Sequence, residues 1–152
     1  MDRAAQIADL VARVKAAKGP DRSIEDEIAL LLGYSRKETP MYDGEAEAAD
    51  VWVDWFNPKG ERVSCPDCYT ESADAALDLV RLYVGGIVAI TIGYEPDDPQ
   101  AYPAASVHWY PRGKSEKHWH AAIETAATLP LTLCATALEA MRRQAADVSE
   151  AA

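Results

Sequence analysis

Ile87-Val88-Ala89-Ile90-Thr91-Ile92-Gly93-Tyr94 is apolar on both of its alternations. A strand with one wet face alternates apolar with polar, whereas a strand covered on both faces does not. The stretch therefore predicts a central strand between two helical layers. Gly85-Gly86 before it reads as the end of a helix, and Glu95 to Pro103 after it, with three prolines and three acids, reads as a loop.

The flanking pattern fits this arrangement. Upstream, Ala76, Leu79, Val80 and Tyr83 give one apolar face to a helix that Thr70 or Ser72 can cap. Val51 to Phe56, aromatic and β-branched, predicts a strand. Asn57-Pro58-Lys59-Gly60 is turn chemistry, and Arg62-Val63-Ser64 a short return strand. The acidic run 35–49 reads as a loop. Two helices come first. Ile7, Leu10, Val11 and Val14 stripe residues 3–18, and Gly19-Pro20 stops that helix. Ser23 with Asp26 resembles a capping box for a helix carrying Ile24, Ile28, Leu31 and Leu32 and ending at Gly33. Downstream, Ala104–Tyr110 and Lys117–Glu124 predict strands. Thr128 and Pro130 open a last helix with Leu131, Cys134, Leu138 and Met141 on one side, fraying after about 146. The expectation is an α+β fold in one domain, residues 1–152. It is a three-layer α/β/α sandwich with a mainly antiparallel sheet of about five strands flanked by four helices.

The bulk numbers bound the function. The 152 residues are 49% apolar and 26% charged, enough to bury a core. No run is long enough to span a membrane and the start carries no signal pattern, so the cytoplasm is the expected compartment. A net charge of −10 argues against direct binding of nucleic acid or anionic lipid and would suit a basic partner. From Glu38 to Pro58 there are six acids and no Lys or Arg. Asp43, Glu45, Glu47 and Asp50 lie beside Trp52 and Trp55, which joins steering charge to apolar anchor area, the combination interfaces use. The plainer reading is a solvated loop next to core aromatics.

Cys65-Pro66-Asp67-Cys68 offers two thiolates, and His118 and His120, two apart on a predicted strand, share a face. Together they would make a Cys₂His₂ zinc set, although nothing in the sequence brings residue 65 near residue 118. The plainer reading is reduced cysteines at a helix start and surface histidines, with no cofactor. Three cysteines without a signal pattern speak against a disulfide framework. No nucleophile elbow, triad signature or phosphate-binding glycine loop is present, so catalysis is not expected.

Three stretches carry a family resemblance. They are Gly19-Pro20-Asp21-Arg22 running into Ile28–Tyr34, Tyr69-Thr70-Glu71-Ser72-Ala73-Asp74-Ala75-Ala76-Leu77, and Thr128-Leu129-Pro130-Leu131 with Leu133-Cys134-Ala135-Thr136-Ala137-Leu138. In this order they resemble the small phage and prophage proteins with a phage ABA-sandwich domain, over about residues 6–143. The resemblance implies a sheet between helical layers, no established reaction and no catalytic residues. The Cys65–Cys68 and His118–His120 elements fall outside its pattern. It implies a non-enzymatic accessory protein that binds a host or phage protein in the cytoplasm of a bacterial host cell. One form would block a bacterial defence nuclease complex, as an anti-CRISPR does, by occupying its basic nucleic-acid channel. A small-molecule-binding protein and a zinc protein or enzyme are the alternatives. Monomer and dimer are both open.

Overall fold

The computed structural model describes residues 2–41, 50–93, 102–111 and 119–150. The order is α1 (Arg3–Ala16), α2 (Arg22–Leu31), β1 (Ser35–Met41), β2 (Asp50–Phe56), β3 (Arg62–Val63), α3 (Ala73–Tyr83), β4 (Ile87–Gly93), β5 (Ala104–Trp109), β6 (His120–Thr125) and α4 (Leu129–Glu150). The class is α+β as expected. The single sheet of about five strands is not. Two three-stranded antiparallel sheets stand in its place, β1-β2-β3 and β4-β5-β6.

The predicted helical stripes hold. Ile7, Leu10, Val11 and Val14 are buried along α1, as are Ala76, Leu79 and Val80 along α3. Ser72 caps α3 by accepting from the Ala75 N–H. The start of α2 differs from the expected box. Asp21 is the cap, its Oδ1 accepting the Ser23 and Ile24 N–H groups. Aspartate reaches these first-turn donors as well as serine does, and its charge favours the helix N-terminus. Gly33 follows α2 with φ +91°, the left-handed conformation that glycine adopts without a Cβ penalty.

α4 is the hub. Every residue from Leu131 to Met141 is buried, and a helix buried all round must be enclosed on all sides. It lies against β5 and β6 on one side and packs along α1 and α3 on others. Two threonines fix its first turns to the sheet. Thr132 Oγ1 accepts the Ala126 N–H at 3.0 Å, and Thr136 Oγ1 reaches the Ala105 carbonyl at 3.3 Å. The helix continues to Glu150 where fraying after 146 is expected.

The largest correction concerns Ile87–Tyr94. β4 is an edge strand, and β5 is central. Alternate residues of β5, namely Ala105, Val107 and Trp109, are fully buried, while Ala104, Ser106 and His108 on the other face are only half-buried. The helices therefore cover one face of this sheet. Trp119 and Ile123 on the other face stay exposed, against the expectation of cover on both sides, and Ile92, opposite Ala105 on the helix-covered face, is exposed as well because it lies at the edge. β1 is a second correction: residues 35–41 are a strand, paired along their length with β2. Among the described residues, no helix is long and apolar enough to cross a membrane.

Candidate partner-binding surface

β1 and β2 form a hairpin whose register sets Arg36 against Trp55, Lys37 against Asp54, Glu38 against Val53, Thr39 against Trp52 and Pro40 against Val51. Opposed residues of an antiparallel pair share a face, so Thr39, Trp52, Lys37 and Asp54 line one side and Pro40, Val51, Glu38 and Val53 the other. The two strands pack on each other and on β3 rather than broadly on a helix. Ion pairs tie the base of the hairpin down: Arg36 bridges Asp26 of α2 at 3.8 Å and Glu38 at 2.9 Å.

The distal half is apolar and wet. Met41, Val51, Trp52 and Val53 are all exposed. The Trp52 indole N–H donates to Asp54 Oδ1 at 3.0 Å, which lays the ring along the strand and lowers the entropy it would lose on docking. Trp52 is 52% exposed, whereas Trp55 is 5% exposed. The two predicted aromatic anchors therefore divide. Trp52 is open to a partner, and Trp55, on the opposite face, is a buried packing residue. Asp43, Glu45 and Glu47 lie outside the described residues. Asp50 is described through its backbone, opposite Met41.

Of the proposed metal ligands, the three among the described residues, Cys65, Cys68 and His120, do not converge. Cys65 is exposed and Cys68 half-buried, in the segment before α3. Burial pushes the Cys68 thiol above its ordinary range, with Glu25 and Glu71 adding to the effect, and this disfavours a thiolate. The neighbouring Tyr69 carbonyl accepts from Cys134 Sγ at 3.0 Å, which places the pair beside residue 134 of α4. His120 sits at the other end. Its ring lies 5.7 Å from Trp109, and the adjacent Ala121 carbonyl accepts from Arg143 at 2.7 Å. From residue 134 to 143 a helix advances about 13 Å, too far for one ion. His120 also faces the helix side with Trp109 rather than open solvent. His118 lies outside the described residues, and among those described no three His, Cys, Asp or Glu side chains could hold a metal.

Two features escaped the sequence reading. Ser106 Oγ lies 3.1 Å from His108 Nε2 on the open face of β5, and Trp119 tilts against that imidazole with ring centroids 4.9 Å apart. The Ser-x-His alternation in a strand was the available signal. Among the described residues no carboxylate hydrogen-bonds the imidazole to supply the third member that activates a serine. The second feature is a cavity of about 380 Å³ where the start of α1 meets the ends of α3 and α4. Ile7, Tyr83 and Met141 line it, with Asp2, Arg3 and Gln144 also on its wall.

No family model, no curated protein and no solved structure matches this chain.

Proposed function

We propose that this protein is a phage- or prophage-encoded accessory protein that acts without catalysis, by binding a host or phage protein through the distal half of the β1–β2 hairpin. The observation that carries the reading is the distal hairpin exposing apolar side chains on both faces, Met41 and Trp52 on one and Val51 and Val53 on the other, on strands that contribute little to the core. Apolar side chains exposed on both faces of one hairpin are costly to leave in water, and a partner that grips the hairpin would cover them. The acidic stretch containing Asp43, Glu45, Glu47 and Asp50 is contiguous with them in sequence. A basic partner would be steered onto such a surface, and a nucleic-acid channel of a bacterial defence nuclease complex is one partner of that chemistry. The phage assignment rests on the three-stretch resemblance.

Affinity capture from bacterial lysate, with and without phage infection, tests this reading. A protein retained by the wild type and lost with Trp52→Ala, with unchanged circular dichroism, supports it. An identical set of captured proteins for both chains contradicts it.

The cavity at the start of α1 favours a second reading, a small-molecule-binding protein. It is partly open to solvent and joins the apolar walls of Ile7, Tyr83 and Met141 to the charged pair Asp2 and Arg3. A thermal-shift screen of small organic acids, read on wild type and Arg3→Ala, separates this reading from the first.

A further inference from the structure

We propose that β4 is a self-association edge, on which a second copy of this chain adds its own β4 antiparallel to make a continuous six-stranded sheet. An edge strand presents unpaired backbone N–H and C=O groups, and proteins blunt such edges with charge, proline, short length or a covering group. The other edges here are blunted. β1 carries Arg36, Lys37, Glu38 and Pro40, and β3 is two residues long. On β6, Arg143 caps the Ala121 carbonyl and Lys15 bridges Glu124 at 2.6 Å. Among the described residues β4 carries no charge, no proline and no covering group, and its one irregularity is a register shift between Ile87 and Ala89 at its start. From Leu82 to Tyr94 there is no charged residue and no proline, in a chain of net charge −10. Val88 and Ile92 are exposed on it.

The edge also fits a copy of itself. The Tyr110 N–H donates to the Gly86 carbonyl, so the even-numbered residues of β5 direct their amides toward β4. Their register partners Ala89, Thr91 and Gly93 are thereby engaged, which leaves Ile90 and Ile92 with backbone groups directed outward. A twofold axis at Ile90 sets Ile90 against its own copy and Ile92 against Val88, with Thr91 opposite Ala89. Residues of equal parity meet, so the apolar side chains land on the helix-covered face of both copies, as an isologous contact requires. One added strand buries less than the ~800 Å² per partner of a standard complex, so the dimer is reversible and concentration-dependent. Two like-charged copies approach more easily in salt, so dimerisation strengthens as salt rises, opposite to the hairpin's basic partner.

Sedimentation equilibrium of the full chain at low and high salt tests this. The expected result is a concentration-dependent rise toward twice the chain mass, larger in high salt. Ile92→Lys, at a position already 49% exposed, should return the chain to one mass with unchanged circular dichroism. A second variant fixes the geometry. Ala89→Cys with Thr91→Cys, in a Cys65→Ser and Cys68→Ser background, should become covalently dimeric with oxidised glutathione. A wild-type chain that stays monomeric at all concentrations overturns the proposal and leaves the edge for another protein's strand. So does a dimer that survives Ile92→Lys and fails to cross-link.

Discussion

Thr70 gives both its backbone N–H and its hydroxyl to one oxygen of Glu25, Oε1, at 3.0 and 2.7 Å. Both residues are buried. The other oxygen of Glu25 takes Arg22 at 3.2 Å, and Thr70 Oγ1 in turn accepts the Asp21 N–H at 2.9 Å. The first residues of α2 are thus fastened to the segment that leads into α3. Glu25→Ala leaves the Thr70 N–H buried without an acceptor and should cost about 1–3 kcal/mol. Urea denaturation measures it. Thr70→Val combined with Glu25→Ala should cost less than the sum of the two single changes, because they share one interaction.

Glu139 predicts a pH dependence. Arg142's paired bonds at 2.7 and 2.8 Å hold its carboxyl below the ordinary range, Arg143 adds a bond at 2.8 Å, and burial opposes both. A carboxyl whose folded value is depressed stabilises the fold above the unfolded value of about 4.3, and loses that contribution as pH falls through the folded value. Wild-type stability should therefore decline on the acid side more steeply than that of Glu139→Gln. Chemical denaturation at neutral and acid pH measures both slopes, and parallel curves would refute the assignment.

The two hairpin tryptophans should behave oppositely. Trp55→Ala removes a buried ring and should cost about 3–5 kcal/mol. Trp52→Ala removes an exposed one and should cost less than about 1 kcal/mol. Thermal melts of the pair distinguish them, and equal losses would place Trp52 in packing rather than at a binding surface.

The thiols should react in order of exposure. Cys65 should be modified rapidly in the native protein and Cys68 more slowly. Cys134, whose thiol burial pushes upward and whose Sγ bonds Tyr69, should react only on unfolding. Labelling followed by mass spectrometry reads the order. A chelator should leave the melting temperature unchanged, because the cysteines and His120 lie at opposite ends of α4's buried stretch. A large fall with stoichiometric zinc would reverse that conclusion.

Helical faces were legible because periodicity reports burial directly: Ile7, Leu10, Val11 and Val14 are buried as their spacing predicts. Strand order was not legible. Ile87–Tyr94 is apolar on both alternations, yet the strand Ile87–Gly93 lies at an edge, because a side-chain pattern records which residues are apolar and not which neighbours arrive. Ser35–Met41 has polar residues and a proline, so its strand comes from pairing with β2 rather than from its own propensity. The spacing of Leu131, Cys134, Leu138 and Met141 predicts one apolar side for α4, although the alanines and threonines between them are small enough to be enclosed as well. At the candidate surface, the aromatic cluster was visible in sequence. The division between Trp52 and Trp55 needed the hairpin's position, and the separation of Cys65 and Cys68 from His120 needed the fold.

The central claim is that the distal β1–β2 hairpin docks a partner protein, and site-specific photo-crosslinking tests it most directly. A photoreactive phenylalanine derivative replaces Trp52 in one chain and Leu82, an exposed residue of α3, in another. Both are irradiated in bacterial lysate at low and high salt. The account predicts a discrete adduct from position 52, weakened by salt and by neutralising Asp43, Glu45, Glu47 and Asp50 together, and no such adduct from position 82. The same adducts from both positions, or an adduct from 52 that neither salt nor neutralisation affects, would contradict it.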